Sequence, residues 1–342
     1  MMTTTDFAKY LTKYFNEYLV LEKGASHNTV RAYANTFSLL LIFMDEIDHI
    51  KADKLSCAHF TKDVILRFLD WLQSNRKCGN STRNQRLAAI HSFFKYIQYE
   101  DPKQLAKWQD IISIKIKKSI KKSVTYISVD GIQFLLQQIP TGTKDGRRNL
   151  ALIALLYDSG ARVQELIDLV PASLRLDKPY CVTLLGKGNK KRIVPLMEEQ
   201  IILLRNYIEE NRLNDPASNQ RPLFSNNRGG KLSNSGITYI LNIYAHNARM
   251  LNPRLMPDKI SPHTLRHSKA MHLLQAGVNL VYIRDILGHV SIQTTEIYAR
   301  ADSKLKREAL EAAYINVIPD LPAERSWERD AQLKEWLKNL SK

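Results

Sequence analysis

The chain has 342 residues, of which 44% are hydrophobic, enough to build a packed core in each of two ordinary domains. No run approaches the ~20 apolar residues of a membrane span, and the polar N-terminal stretch excludes a visible secretory signal; the cysteines Cys57, Cys78 and Cys181 have neither ligand nor disulfide spacing, which fits a reducing cytoplasmic compartment. Lys and Arg number 50 against 34 Asp and Glu, and the net charge of +16 is shared between the two halves, as a protein gripping a polyanion with both halves requires; a charge that only aids solubility is the plainer alternative.

Hydrophobic spacing predicts four helices in the N-terminal part. Phe7, Tyr10, Leu11, Tyr14, Phe15, Tyr18 and Leu19 recur at helical intervals. Ser26 and Asn28 offer caps for a second helix through Tyr33, Phe37, Leu40, Leu41 and Met44. A third runs from about Thr61 through Leu72. A fourth begins near Ser81 and stops at Asp101-Pro102. The aromatic stripes read as core. Arg83 and Arg86, three apart on one face of the fourth helix, are candidates for binding DNA. Residues 115–122 form a basic connector. Its Lys115, Lys117, Lys118, Lys121 and Lys122 either lie solvated or strap phosphates between two domains.

The second half is mixed. Ser128 caps a helix through Leu136, residues 147–157 form an apolar helix ending near Gly160, and a short helix follows from about Val163 to Leu169. Two strands, Val182–Leu185 and Arg192–Val194, flank Gly186-Lys187-Gly188-Asn189 as a hairpin. Helices follow over 197–211 and 234–249, with Gly229-Gly230 in the loop between them. Three short helices are expected near 262–276, 280–287 and 292–301.

Five motifs carry chemistry. Ser261 is a natural N-cap and Pro262 suits the first helical position, so His263 and Arg266 share a face at a helix start, where the dipole favours phosphate. His263 and His267 have zinc spacing, but Thr264 stands where a glutamate would be needed, so no metal is expected. Arg162 opens another helix after Gly160, with Glu165 three residues on. The hairpin places Lys187, Lys190, Lys191 and Arg192 around a glycine-flanked tip that lacks the order of a P-loop. Leu287-Gly288-His289 ends one helix, and Tyr298 follows nine residues later. Each motif alone has an ordinary structural reading: a capped helix, a structural ion pair, a solvated turn or a packed tyrosine.

Taken in order, Arg162, Lys187, His263, Arg266, His289 and Tyr298 resemble the active-site set of the tyrosine recombinases, the phage integrase family, over about residues 7–310. The resemblance implies a mostly helical fold with a small β-sheet in the C-terminal domain, arranged as a two-domain C-shaped clamp. A helical SAM-like core-binding domain is expected over 1–112, a basic linker over 113–125, a mixed α/β catalytic domain over 126–310 and a C-terminal extension over 311–342. In the family the tyrosine attacks a phosphodiester to leave a 3′-phosphotyrosyl bond and a free 5′ hydroxyl, through a Holliday junction, without ATP, cofactor or metal. Arg162 and Arg266 match the two arginines that hold the non-bridging oxygens, and His289 a donor to the same oxygens. His263 matches the histidine that assists the tyrosine's proton transfer, Lys187 the hairpin lysine that protonates the leaving oxygen, and Glu165 a supporting acid.

The implied partner is double-stranded DNA with a paired site. It is bound by a homotetramer that is monomeric or dimeric when free, with accessory recombinases as possible helpers and nucleoid association expected. Lys269 departs from the family's aromatic or aliphatic residue and is expected to turn outward or touch DNA. The tail, with Leu310, Ala313, Tyr314, Ile315, Ile318 and the tryptophans Trp327 and Trp336, either docks on a neighbouring protomer or packs on its own domain. The extended tail and the loop around 213–235 favour integration, excision or transposition of a mobile element, and the general layout is that of a Xer-type dimer resolvase. A type IB topoisomerase, a catalytically silent DNA-binding regulator and an RNA-binding protein are the competing classes.

Overall fold

The computed structural model describes residues 5–119, 123–186, 188–302 and 331–340. The chain divides into two compact units, Met1–Lys122 and Ser123–Lys342.

The first unit is helical. Helix α1, Asp6–Lys13, starts on a Thr5 cap and runs on as a wider π-helical stretch over Tyr14–Glu22. Helix α2, His27–Glu46, is capped by Ser26, one of the two caps the sequence offers, and α3, Lys62–Ser74, starts where the sequence predicts, with Thr61 as its cap. Helix α4, Asn80–Glu100, ends at Asp101 just before Pro102. One element has no counterpart in the sequence reading: α5, Leu105–Ile112, follows the proline turn and buries Trp108. Its indole stacks on Phe94 at 5.4 Å, and its Nε1 donates to the carbonyl of Asp101. The aromatic stripes form one core, with Phe7, Tyr14, Phe37, Phe93 and Phe94 in edge-to-face contacts.

The first residues of the expected linker belong to this unit. Ile114 is buried in the same core. Beyond it the chain runs beside α4: Asn84 exchanges two hydrogen bonds with the backbone of Lys117, and Asn80 donates to the carbonyl of Lys118.

In the second unit, α6 is Val129–Gln137, α7 Lys144–Asp158 and α8 Val163–Ile167. Helix α7 starts a turn earlier than predicted because Thr143 caps it. Its apolar residues lie at the centre of the main core, against α9, Glu198–Glu210, and α11, Pro262–Gln275. The sheet has three antiparallel strands in the order β1-β2-β3: Leu174–Arg175, Cys181–Leu185 and Lys191–Pro195. The two-residue β1 is too short to leave a periodic signal. In β2–β3, Val182 pairs with Val194 and Leu184 with Arg192. Helix α10 is Asn234–Leu251, and α12, Leu280–Leu287, ends on left-handed Gly288. The last predicted short helix is split into a single tight turn, Ile292–Thr294, and α13, Glu296–Ala301. A further helix spans Ala331–Asn339. Among the described residues, no helix is long and apolar enough to cross a membrane.

Candidate active site

Helix α11 begins as its sequence dictates. The Ser261 hydroxyl accepts from the Thr264 amide, and Pro262 takes the first position. The motif's arginine then turns inward. Arg266 is 4% exposed; its Nη1 donates to the Gly160 carbonyl at 2.6 Å and its Nη2 to the Leu287 carbonyl at 2.5 Å. Burial, with Arg162 and Arg192 nearby, lowers its pKa to about 10, so it stays cationic at neutral pH. Two carbonyls compensate part of the burial, and one of them lies at the negative end of α12.

Arg162 precedes α8. Its backbone N–H donates to Glu165 at 2.7 Å, its Nη1 to the same carboxylate at 2.8 Å, and its Nη2 to the Gly288 carbonyl at 3.1 Å. Glu165 also receives a two-pronged bond from Arg192, at 2.8 and 2.7 Å. Burial pushes the Glu165 carboxyl up, but the bonds from Arg192 and Arg162 outweigh it and hold the group below its ordinary value.

Gly160 and Gly288 make the close approaches here. Both have positive φ, 57° and 65°. A Cβ at Gly160 would come within 2.9 Å of Leu287, and one at Gly288 within 2.9 Å of the Arg192 side chain.

His289 follows this turn. Its Nδ1 lies 2.9 Å from the Thr295 hydroxyl. Burial first, then Arg266, Arg162 and Arg192, lower its pKa to about 4, so the ring is neutral at pH 7. Tyr298, on α13, is 1% exposed and packs among Ala270, Met271, Leu274, Ile283 and Leu287. Its hydroxyl lies 2.9 Å from Nδ1 of His267, and its ring stacks on His289 with centroids 6.4 Å apart. Burial raises the phenol pKa, and Arg266 opposes the rise. His263 is exposed at the start of α11, its ring 6.4 Å from that of His267. Although the residue as a whole reaches solvent, partial desolvation of its ring, then Arg266 and Arg162, lower the His263 pKa.

The structure therefore brings together Arg162, Glu165, His263, Arg266, His289 and Tyr298. Lys187 lies outside the described residues, as do Lys121, Lys122 and the tail positions Leu310, Ala313, Tyr314, Ile315, Ile318 and Trp327. Trp336 lies on the last helix and is exposed. Lys115, Lys117, Lys118, Lys190 and Lys191 are exposed, as DNA-binding candidates must be.

Four expectations need correction. Arg83 is 4% exposed, so it does not project from α4 as a free cation. Arg86 turns to α2, donating to the Ala32 carbonyl and the Thr36 hydroxyl. Arg192 is not a hairpin cation open to DNA; it is held by Glu165 and by the Ile286 carbonyl at 2.9 Å. Lys269 does not turn outward: it pairs with Asp158 at 2.8 Å, over the Tyr157 ring. In all four cases helical or strand periodicity places the backbone, but a long side chain can bend toward any carboxylate or carbonyl within reach.

Sequence reasoning also missed His267 as the partner of Tyr298. The signal was present: His263 and His267 are four apart and so share a face of α11.

With the geometry in view, comparison with known proteins identifies the class. Residues 125–304 match the model of the phage integrase family, and residues 12–100 match its N-terminal SAM-like domain. The chain belongs to the phage integrase family, and it is a tyrosine-type site-specific recombinase. Tyrosine recombinase XerC of Herpetosiphon aurantiacus is 33% identical over 84% of this chain and 90% of its own length. Tyrosine recombinase XerD of Listeria innocua is 32% identical over 83% of this chain and 91% of its own. Among solved structures, XerH bound to a palindromic difH substrate, a post-cleavage complex, superposes with a TM-score of 0.69 at 22% identity, over 92% of this chain and 91% of that one. The Tn1549 transposon integrase with transposon right-end DNA gives 0.66 at 16% identity, over 88% and 98%. At these identities the two structures speak to the fold alone.

Proposed function

We propose that this recombinase cuts DNA with Tyr298 and that Arg162, Arg266 and His289 receive the scissile phosphate. One observation carries the reading: two guanidiniums, the His289 imidazole and the Tyr298 ring converge on the turn that ends α12. The Tyr298 oxygen attacks phosphorus and the bond to the 5′ oxygen breaks. The phenolic proton leaves to a base, and a proton is delivered to the departing 5′ oxygen, so the balance closes without a cofactor. The bond energy is kept in the 3′-phosphotyrosyl ester, and a 5′ hydroxyl from a partner duplex reverses the step. Lys187 supplies the leaving-group proton and His263 assists the phenol. Arg162 and Arg266 stabilise charge on the non-bridging oxygens, each contact being worth about 3 kcal/mol of barrier. The buried hydroxyl of Tyr298 has to leave His267 to reach a phosphate, so DNA binding is coupled to release of α13.

The partner is double-stranded DNA, as in the DNA-bound XerH and Tn1549 integrase complexes. The working assembly is a homotetramer on paired sites, monomeric or dimeric when free and open to accessory recombinases, in the cytoplasm at the nucleoid. Relatives named XerC and XerD favour dimer resolution, while the long tail favours a mobile element.

The test is trapping. The protein is incubated with a library of nicked duplexes whose cut strand is lost by diffusion, and strands attached through a denaturant-resistant bond are sequenced. Wild type is expected to yield adducts at one site, and Tyr298→Phe none, with duplex affinity unchanged. Adducts with Tyr298→Phe would refute the assignment. The recovered sequence, mapped in the host genome, separates chromosomal from mobile-element sites.

A further inference from the structure

The carbonyls of Ile286, Leu287 and Gly288 end α12 and lead into His289. Each accepts a hydrogen bond from a different arginine: Ile286 from Nε of Arg192, Leu287 from Nη2 of Arg266, and Gly288 from Nη2 of Arg162. The last carbonyls of a helix lack partners within it and carry its negative end, so they attract cations. Two of the three arginines belong to the proposed phosphate site. Arg192 does not, although its place beside the hairpin tip suggests a contact with DNA.

Its geometry excludes that role. The side chain is 11% exposed, and all three of its nitrogens are engaged: Nε on Ile286, Nη1 and Nη2 on the two oxygens of Glu165. A fork over a carboxylate with a third donor on a backbone carbonyl is a geometry that a guanidinium meets and an ammonium does not. The turn is built around it. Gly288 approaches so closely that a Cβ there would lie 2.9 Å from Cδ and Nη1 of Arg192.

We infer that Arg192 is a positioning residue for strand cleavage, one that acts through Glu165 on Arg162 and through the Ile286 carbonyl on the turn carrying His289. Glu165 is gripped on both sides, by Arg162 through its N–H and Nη1, and by Arg192 through both Nη atoms. Arg192 lies on β3, so the grip also ties the β2–β3 hairpin to α8 and α12. Without Arg192, the carboxylate draws Arg162 alone, and the Arg162 guanidinium is pulled from the Gly288 carbonyl and from a phosphate beside it. The Ile286 carbonyl loses its donor at the same time, and the His289 turn loosens. The inference rests on the proposed assignment of Arg162 and His289 to the scissile phosphate.

The experiment measures single-turnover adduct formation on the duplex recovered by trapping, for wild type, Arg192→Ala and Arg192→Lys. Duplex affinity and thermal unfolding are followed in parallel. Arg192→Ala is expected to slow cleavage about 100-fold, the size of losing one preorganised electrostatic contact, with affinity within about threefold. Arg192→Lys, which keeps the charge and loses the fork, is expected to recover only part of the rate, and it serves where the alanine variant does not fold.

A second substrate separates positioning from mere scaffolding. Replacing one non-bridging oxygen of the scissile phosphate by methyl removes the charge that Arg162 answers. If Arg192 acts through Arg162, the defect shrinks by about tenfold or more on this methylphosphonate. A defect of equal size on both substrates, or a variant as fast as wild type, would overturn the inference while leaving the recombinase site intact. Absence of adducts with wild type would overturn the site assignment, and this inference with it.

Discussion

At the scale of single residues, the candidate site is a problem of buried charge. Arg266 is nearly inaccessible, Arg192 and Glu165 almost so, and each is held by partners at hydrogen-bond distance. Removing one member leaves another charge unpaired in a low-dielectric setting, which costs more than the bond itself. The same field acts on His289. Its folded pKa of about 4 lies below the ordinary 6.5, so the unfolded chain binds a proton that the folded protein refuses. Its contribution to stability is therefore complete above about pH 6.5 and is lost progressively as pH falls toward 4. Glu165, held below its ordinary carboxylate value, loses its own contribution further down as it protonates. Thermal unfolding temperatures are expected to fall between pH 6.5 and 4, and His289→Gln to flatten that slope. An equal slope in wild type and variant would show that His289 contributes nothing to it.

At the scale of elements, capping and aromatic burial govern the boundaries. Ser26, Thr61, Ser128 and Ser261 cap the helices whose starts the sequence announced. Helix α5 is hard to read because its eight residues, directly after a proline turn, carry only two turns of apolar spacing, and it is held by the burial of Trp108 and Ile111. Trp108 is fully buried, stacked on Phe94, with its indole N–H satisfied by Asp101. Trp108→Ala is expected to destabilise the helical unit by about 3–5 kcal/mol, as a large cavity with an orphaned carbonyl beside it should. Urea unfolding followed by circular dichroism on the full chain measures this. A loss below about 1 kcal/mol would mean that α5 is peripheral to the core. Splitting of the predicted 292–301 helix has a local cause. Ser291 caps a single tight turn, and α13 then restarts at Glu296 with Tyr298 facing inward.

At the scale of the whole molecule, the net charge of +16 is the property that reaches a polyanion first. Lys115 and Lys118 are exposed on a segment whose backbone is pinned to α4 at Lys117 and Lys118, so their position is set while their ammonium groups face solvent. Each phosphate contact adds close to one unit to the slope of log affinity against log salt. The double variant Lys115→Ala/Lys118→Ala is expected to lower that slope by about 2 on a random-sequence duplex. Fluorescence anisotropy between 50 and 200 mM salt provides the measurement, and an unchanged slope would place these lysines away from DNA.

What could be read from sequence alone was the class of the fold and the types of the candidate catalytic groups. Caps and apolar periodicity are local, and the motif spacings from Arg162 to Tyr298 survive without knowledge of the fold. What only the tertiary structure decided was where long side chains point. Arg192, Arg86 and Lys269 could each have faced solvent. Instead they meet partners 27, 50 and 111 residues away along the chain, at Glu165, Thr36 and Asp158. The bond between Tyr298 and His267 has the same origin: 31 positions separate them, and folding of α13 onto α11 joins them. Periodicity reports which face of an element is buried, whereas the partner of a buried charge is chosen by non-local packing, which leaves no periodic trace in the chain.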